Sequence, residues 1–305
     1  MMKEQLVVSS SPHIRSATTV RDIMWSVVVS LIPAVLAAVY FFGINAFLIV
    51  SVSIFGCLLT EFLFQKARGK EVTINDGSAV ITGLLLALTL PPTASLWMVL
   101  VGSAVAIGLG KQVFGGLGYN PFNPALVGRA FLLAAYPVQM TNWMIDGVTT
   151  ATPLNVIAES QYMTVEYWDL FIGNVAGSLG ETSAFALLLG AAYLIYKGYI
   201  SWRIPLGMLS SVFIVTYLFG GDPIFHLFAG GLMLGALYMA TDMVTSPITK
   251  SGRWIFGFGA GIIVVIIRLW GGYPEGVLYS ILLMNMTVPL LNRYTRPRSF
   301  GEGAK

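Results

Sequence analysis

Apolar runs dominate this chain, broken at short intervals by clusters of charge, glycine and proline. A helix needs about 20 apolar residues to cross a bilayer, fewer where it is broken or re-entrant. By that measure the pattern predicts ten spans, over residues 22–42, 44–64, 78–90, 95–114, 121–136, 182–197, 203–219, 223–241, 254–270 and 275–292. The third run stops at Pro91-Pro92 and the fifth opens on Asn120-Pro121-Phe122-Asn123-Pro124. Proline suits the first turn of a helix and breaks its interior, so both places mark helix ends. The two halves also resemble each other. Gly83 and Gly235, Pro92 and Pro247, and Gly115-Gly116 and Gly271-Gly272 recur at nearly constant spacing. With five spans in each half, equivalent helices run in opposite directions. The expected fold is an all-α polytopic membrane protein, ten helices in two inverted five-helix repeats with broken helices. Such repeats place their sites near the midplane, where the broken helices meet.

Charge orients that arrangement. Counting from a cytoplasmic N-terminus, the inside connections receive Lys66, Arg68, Lys70, Lys111, Lys197, Arg203, Lys250, Arg253 and Arg293. The outside connections hold no Lys or Arg, unless Arg268 reaches the outer end of the ninth span. Basic residues stay inside, so both termini are expected in the cytoplasm. The chain then divides into a cytoplasmic segment 1–21, a first repeat 22–136, an outward loop 137–181, a second repeat 182–292 and a tail 293–305. The loop contains Asp146, Glu159, Glu166, Asp169 and Glu181 and no basic residue.

Composition narrows the chemistry. Only 10% of the 305 residues are charged and 56% are hydrophobic, where soluble domains carry about a quarter charged. The first twenty residues lack the apolar core of a cleavable signal. A net charge of +3 offers no footing for nucleic acid. Cys57 is the only cysteine, so there is no internal disulfide and no set of thiolates for an iron–sulfur cluster. His13 and His226 fall in unrelated contexts and give no haem or zinc signature. Any redox centre held here is organic.

Three features carry candidate chemistry. In the outward loop stands Asp146-Gly147-Val148-Thr149-Thr150-Ala151-Thr152-Pro153. The residue before proline is pushed toward extended geometry, so Thr152 is expected in an open segment with its hydroxyl accessible; the bland alternative is a connecting turn. Arg129 lies inside the fifth span, where an unpaired arginine costs about 2.5–3.5 kcal/mol on insertion scales. It therefore needs a partner: a flavin contact is the favoured one, an acidic group or an interface the others. Third, Asp76–Thr82 and Thr241–Thr249 each bring an aspartate, hydroxyls and a helix breaker to the inner membrane edge. Asp76, Ser78, Asp242 and Thr245, with Asn120 and Asn123, are candidates for a second ligand or an ion path; helix capping explains the same residue types.

Taken together these segments resemble the RnfD family of the Rnf electron-transport complex, itself related to the NqrB component of the sodium-pumping NADH:quinone oxidoreductase. The resemblance spans the chain: Ser11-Pro12-His13-Ile14-Arg15, Asp76-Gly77-Ser78-Ala79-Val80-Ile81-Thr82-Gly83, Gly118-Tyr119-Asn120-Pro121-Phe122-Asn123-Pro124-Ala125 and Thr241-Asp242-Met243-Val244-Thr245-Ser246-Pro247. The family's attachment motif reads Ser-Gly-Ala-Thr, with FMN esterified to the last threonine. Here it reads Thr149-Thr150-Ala151-Thr152, so the resemblance implies covalent FMN on Thr152, with Thr150 standing where the family has glycine. It further implies a non-covalent riboflavin, partner subunits bearing iron–sulfur and flavin centres, a flavin transferase for maturation, and a prokaryotic cytoplasmic membrane. The implied activity is ferredoxin:NAD⁺ electron transfer coupled to Na⁺ or H⁺ export. The chain has no glycine-rich nucleotide loop, so ferredoxin and NAD⁺ belong to the partners. The competing reading is a non-redox transporter or channel on inverted repeats, because fold alone does not decide function.

Overall fold

The computed structural model describes residues 18–145, 148–149, 152–154, 166–181, 183–271 and 275–297. Capping chemistry starts the helices. α1 (Val20–Phe42) opens on a capping box in which Thr19 and Asp22 each satisfy the other's backbone N–H. Gly43, at φ +67°, turns the chain directly into α2 (Ile44–Ala67). A short 3₁₀ turn over Ile74–Asp76 leads into α3 (Ser78–Leu88). α4 (Leu96–Ile107) runs on into a π-helical turn, Gly108–Gln112. At the start of α5 (Pro124–Ala135), the Asn123 side chain accepts from the Ala125 and Leu126 amides and Pro124 occupies the first turn. This is the arrangement the Asn-Pro motif predicts.

The loop that follows holds α6 (Pro137–Met140), a two-residue hairpin of β1 (Met144–Ile145) with β2 (Val148–Thr149), and α7 (Tyr167–Ile172). In the hairpin Met144 pairs with Thr149 and Ile145 with Val148. This is the one departure from an all-helical chain among the described residues. The second half comprises α8 (Ala184–Tyr196), α9 (Arg203–Leu218), α10 (Pro223–Phe228), α11 (Leu232–Leu234), α12 (Lys250–Trp270) and α13 (Val277–Tyr294). α11 continues into a second π-helical turn, Gly235–Met239.

Each predicted apolar run forms helix. The eighth is the exception to continuity: residues 223–241 break at Ala229–Gly231, where Gly230 takes φ +68°. Asp222 caps α10 through the amides of Ile224 and Phe225. Three helices, α1, α2 and α12, are long and apolar enough to cross a membrane, and several shorter apolar helices accompany them. Exposed Leu36, Phe55, Leu63, Phe185, Ile214 and Leu290 give the helix bundle an apolar exterior, as a lipid solvent requires.

The closest packing uses small residues. α2 packs against α3 and α4, α9 against α12, and α1 against α8. At Gly83 a Cβ would sit 2.7 Å from the Ile54 backbone, and at Gly190 it would collide with the Ser30 carbonyl. Only glycine permits these approaches. α3 ends early, and its last carbonyls are met by another segment: Gly180 N–H donates to Leu88 O at 2.6 Å and Leu179 N–H to Leu90 O at 3.0 Å. The chain thereby presents two faces. The basic face, where α1 begins and α2 ends, carries Arg68, Lys70, Lys197 and Arg253; the loop face carries the described residues of the segment 136–181.

Candidate functional site

At the basic face α1, α3, the two π turns and residues 194–200 surround a cavity. Ile23, Ile81, Leu85, Leu194 and Ile200 make its walls aliphatic, while Ser78, Thr82, Lys111, Asn120, Asn123, Thr241 and Asp242 bring polar groups to it. Four of the six residues singled out in sequence for a second ligand thus line one cavity. The other two support them from behind. Asp76 Oδ1 accepts from the Ser78 amide at 2.8 Å and its hydroxyl at 2.6 Å. The Thr245 hydroxyl donates to Asp242 Oδ2 at 3.1 Å, and Val244 N–H reaches Asp242 Oδ1 at 3.2 Å. Asn123 is further tied across the halves, donating to Met239 O at 3.3 Å. With its amide turned so that oxygen meets donor and nitrogen meets acceptor, Asn285 links it to Thr245, accepting from Asn123 N at 3.2 Å and donating to Thr245 O at 3.2 Å. Asn120 donates to Phe122 O at 3.0 Å, which folds the Asn-Pro loop on itself.

One wall of the cavity conceals a charge pair that sequence reasoning passed over. Lys111, counted there among loop cations, is buried on the π turn, with 2% of its surface exposed. Its ammonium donates to Glu61 Oε1 at 2.7 Å, Glu61 Oε2 at 2.9 Å and Ser78 Oγ at 2.6 Å. Glu61 also accepts from Gln112 at 3.0 Å and Gln65 at 3.2 Å. A glutamate inside an apolar run was the available signal, because an intramembrane acid requires a partner.

At the loop face Arg129, buried on α5, is bonded to the Glu275 carboxylate and lies 3.8 Å from Glu181 Oε1. Its partners are therefore one acid at the end of the loop, Glu181, and one in the second half, Glu275. No flavin contact is needed to explain its burial. Arg268 is half-buried nearby, donating to His226 O at 2.5 Å and Ala229 O at 2.8 Å across the break between α10 and α11.

Thr152 corrects an expectation. It is buried, 6% exposed, and shares a small cleft with Glu181, Glu275 and Gly230. The cause is its neighbour: Leu154 packs with Leu170, Phe225 and Ala229 in a small apolar cluster and draws the segment inward. Gly230 makes room for that leucine, since a Cβ there would lie 2.7 Å from it. Thr149 lies on β2 opposite Met144. Asp146 and Thr150 fall outside the described residues.

The model of the NQR2, RnfD, RnfE family matches residues 7–301 of this chain. The chain belongs to that family. It is 47% identical to the D subunit of the proton-translocating ferredoxin:NAD(+) oxidoreductase complex of Clostridium ljungdahlii, over 98% of this chain and 97% of that one. It is 49% identical to the Na(+)-translocating counterpart of Acetobacterium woodii, over 99% and 97% of the two chains. The D subunit of the ion-translocating oxidoreductase complex of Ectopseudomonas mendocina is 35% identical over 96% of this chain and 95% of its own. Family members thus align along their whole length, both faces included.

Proposed function

We propose that this chain is the D subunit of an ion-translocating ferredoxin:NAD⁺ oxidoreductase complex and relays electrons between two flavins held at its opposite faces. Full-length likeness to proteins of that name supports the first part. The basic-face cavity carries the second part. Its aliphatic walls and its amide and hydroxyl groups suit a flat heterocycle with one polar edge, such as riboflavin. Asn120, Asn123 and Ser78 would hold that edge, and Ile81, Leu85 and Ile200 would flank the ring. A bound flavin supplies one- and two-electron chemistry that no protein side chain here can supply. Asp242 and Thr245 fix the far rim, and the Asn123–Asn285 link keeps the two halves in register around the ligand.

At the loop face Thr152 is the acceptor for FMN, with Asp146, Thr149 and Thr150 in the same loop. Arg268 reaches the Gly230 end of the cleft and would offset the phosphate charge that Glu181 and Glu275 oppose. With Leu154 seated the hydroxyl is covered, so the transferase acts on a loop from which Leu154 has withdrawn. The Arg129–Glu275 pair joins the halves beside this site, and charge placed at Thr152 acts on it; we take this pair as the contact through which redox state reaches ion movement.

The basic face is the cytoplasmic one in this reading, with both termini inside and 137–181 outside. Matching helix partnerships support two inverted repeats: α2 packs on α4 as α9 does on α12, α4 on α5 as α12 does on α13, and α1 meets its counterpart α8. Membrane lipid surrounds the bundle, and iron–sulfur and flavin subunits complete the relay.

Purified protein, co-produced with a flavin transferase, tests the two-flavin reading. Acid should release about one flavin per chain and leave a second fluorescent on the denatured band. Thr152→Ala should abolish the bound fluorescence only, and Asn123→Leu should abolish the released flavin only. Absence of both from the unaltered chain would favour a non-redox transporter.

A further inference from the structure

The cavity wall contains a continuous hydrogen-bonded lead to the basic face. Ser78, 6% exposed, stands on the cavity. Its hydroxyl donates to Asp76 Oδ1 at 2.6 Å and accepts from Lys111 Nζ at 2.6 Å. Asp76 is half-buried behind it, at the basic face beside exposed Asn75, whose carbonyl accepts from the Trp25 indole. Lys111 is saturated, with its three bonds going to Glu61 twice and Ser78 once, so it has no N–H left for a ligand. What it does is polarise the Ser78 hydroxyl and hold it toward Asp76. Ser78 Oγ retains one lone pair, and the cavity is the open side. Of the other titratable groups on the cavity, Tyr238 directs its hydroxyl to Ser30 O and Leu187 O at 3.1 Å each, away from the ligand space. Asp242 sits on the opposite rim with its own two donors.

We propose that Asp76 and Ser78, held in place by Lys111, form a proton relay that serves the redox ligand of this cavity from the basic face; the proposal rests on the flavin reading above. On reduction, the Asp76 carboxylate takes a proton from water at the surface and passes it to Ser78 Oγ as the existing Ser78 O–H proton passes to a ring nitrogen, which returns Asp76 to the carboxylate that accepts from Ser78. On reoxidation each step reverses: the ring N–H bond breaks, a Ser78 O–H bond forms, and Asp76 receives the former hydroxyl proton. Electrons come from a one-electron redox centre of the complex, or from dithionite in the test. Lys111 and Glu61 are positioning residues, because neither exchanges the proton.

A relay alters rates and leaves equilibria alone, which defines the test. The full chain carrying Thr152→Ala holds only the releasable flavin. Its bleaching by dithionite is followed by stopped flow in H₂O and D₂O, with rates expressed per bound flavin. Ser78→Ala and Asp76→Asn should each slow the proton-linked phase about tenfold or more and change its solvent isotope effect, with the midpoint potential little moved. Ser78→Thr, which keeps the hydroxyl, should restore the rate. Wild-type rates in Ser78→Ala, or slowing by Asp242→Asn instead, would overturn the relay while the flavin site stood. A wild-type chain without releasable flavin would overturn both.

Discussion

Thr152 and its neighbour Leu154 illustrate what can and cannot be seen one residue at a time. Thr152 was singled out by its motif and the following proline. Its burial was not legible, because Leu154 meets Phe225 and Ala229, residues far along the chain, on a break the apolar pattern does not announce. If Leu154 gates modification, Leu154→Ala should raise the rate of flavin transfer to Thr152 in a timed in-gel fluorescence assay. It should also cost about 2 kcal/mol of thermal stability, the low end for such truncations. An unchanged transfer rate would mean that the loop opens without hindrance from this side chain. Arg129 teaches the complementary lesson. An arginine in an apolar helix demands a partner, yet Glu275 stands 146 residues away and no local pattern points to it. Arg129→Leu leaves buried Glu181 and half-buried Glu275 without their cation, a loss of about 3 kcal/mol; the double change with Glu275→Leu should recover part of it. Thermal unfolding in detergent measures both, and equal losses in the single and double variants would deny the pairing.

Helices were the most legible elements. Apolar runs gave their existence, and the Asn-Pro motif marked the start of α5, where Asn123 is the cap; the caps Thr19 and Thr249 of α1 and α12 emerged only in the structure. The failures occur where the backbone departs from regular helix: the break at Ala229–Gly231, and the π turns that carry Lys111 and Tyr238. There the fold bends to turn buried polar groups toward one another, a tertiary outcome with no periodic signature. Close helix approach is testable here. Gly190→Val drives a branched side chain into the Ser30 carbonyl of α1 and should leave no monodisperse protein by size-exclusion chromatography. Gly43→Ala meets no neighbour within 4 Å but must adopt φ +67°, so it should fold with a loss of about 1–2 kcal/mol. A well-behaved Gly190→Val protein would show that α1 and α8 are further apart than described.

For the whole molecule, polarity is inverted relative to a soluble domain, with large apolar side chains outside and asparagines and ion pairs within. Charge asymmetry along the sequence supplied an orientation, and it predicts labelling. With buried Cys57 replaced by alanine, a membrane-impermeant maleimide added to whole cells should modify Val138→Cys and spare Tyr196→Cys. The reverse pattern would invert the topology. Two candidate sites lie at opposite faces of one bundle, one a preformed cavity and the other a covered threonine, and the relay reading requires both to bear flavin. Peptide mass spectrometry of protein made beside a competent transferase probes that requirement at its source. An FMN mass is expected on the peptide containing Thr152, together with free riboflavin recovered from the same sample. A Thr152 peptide of unmodified mass from that host would refute the two-flavin relay.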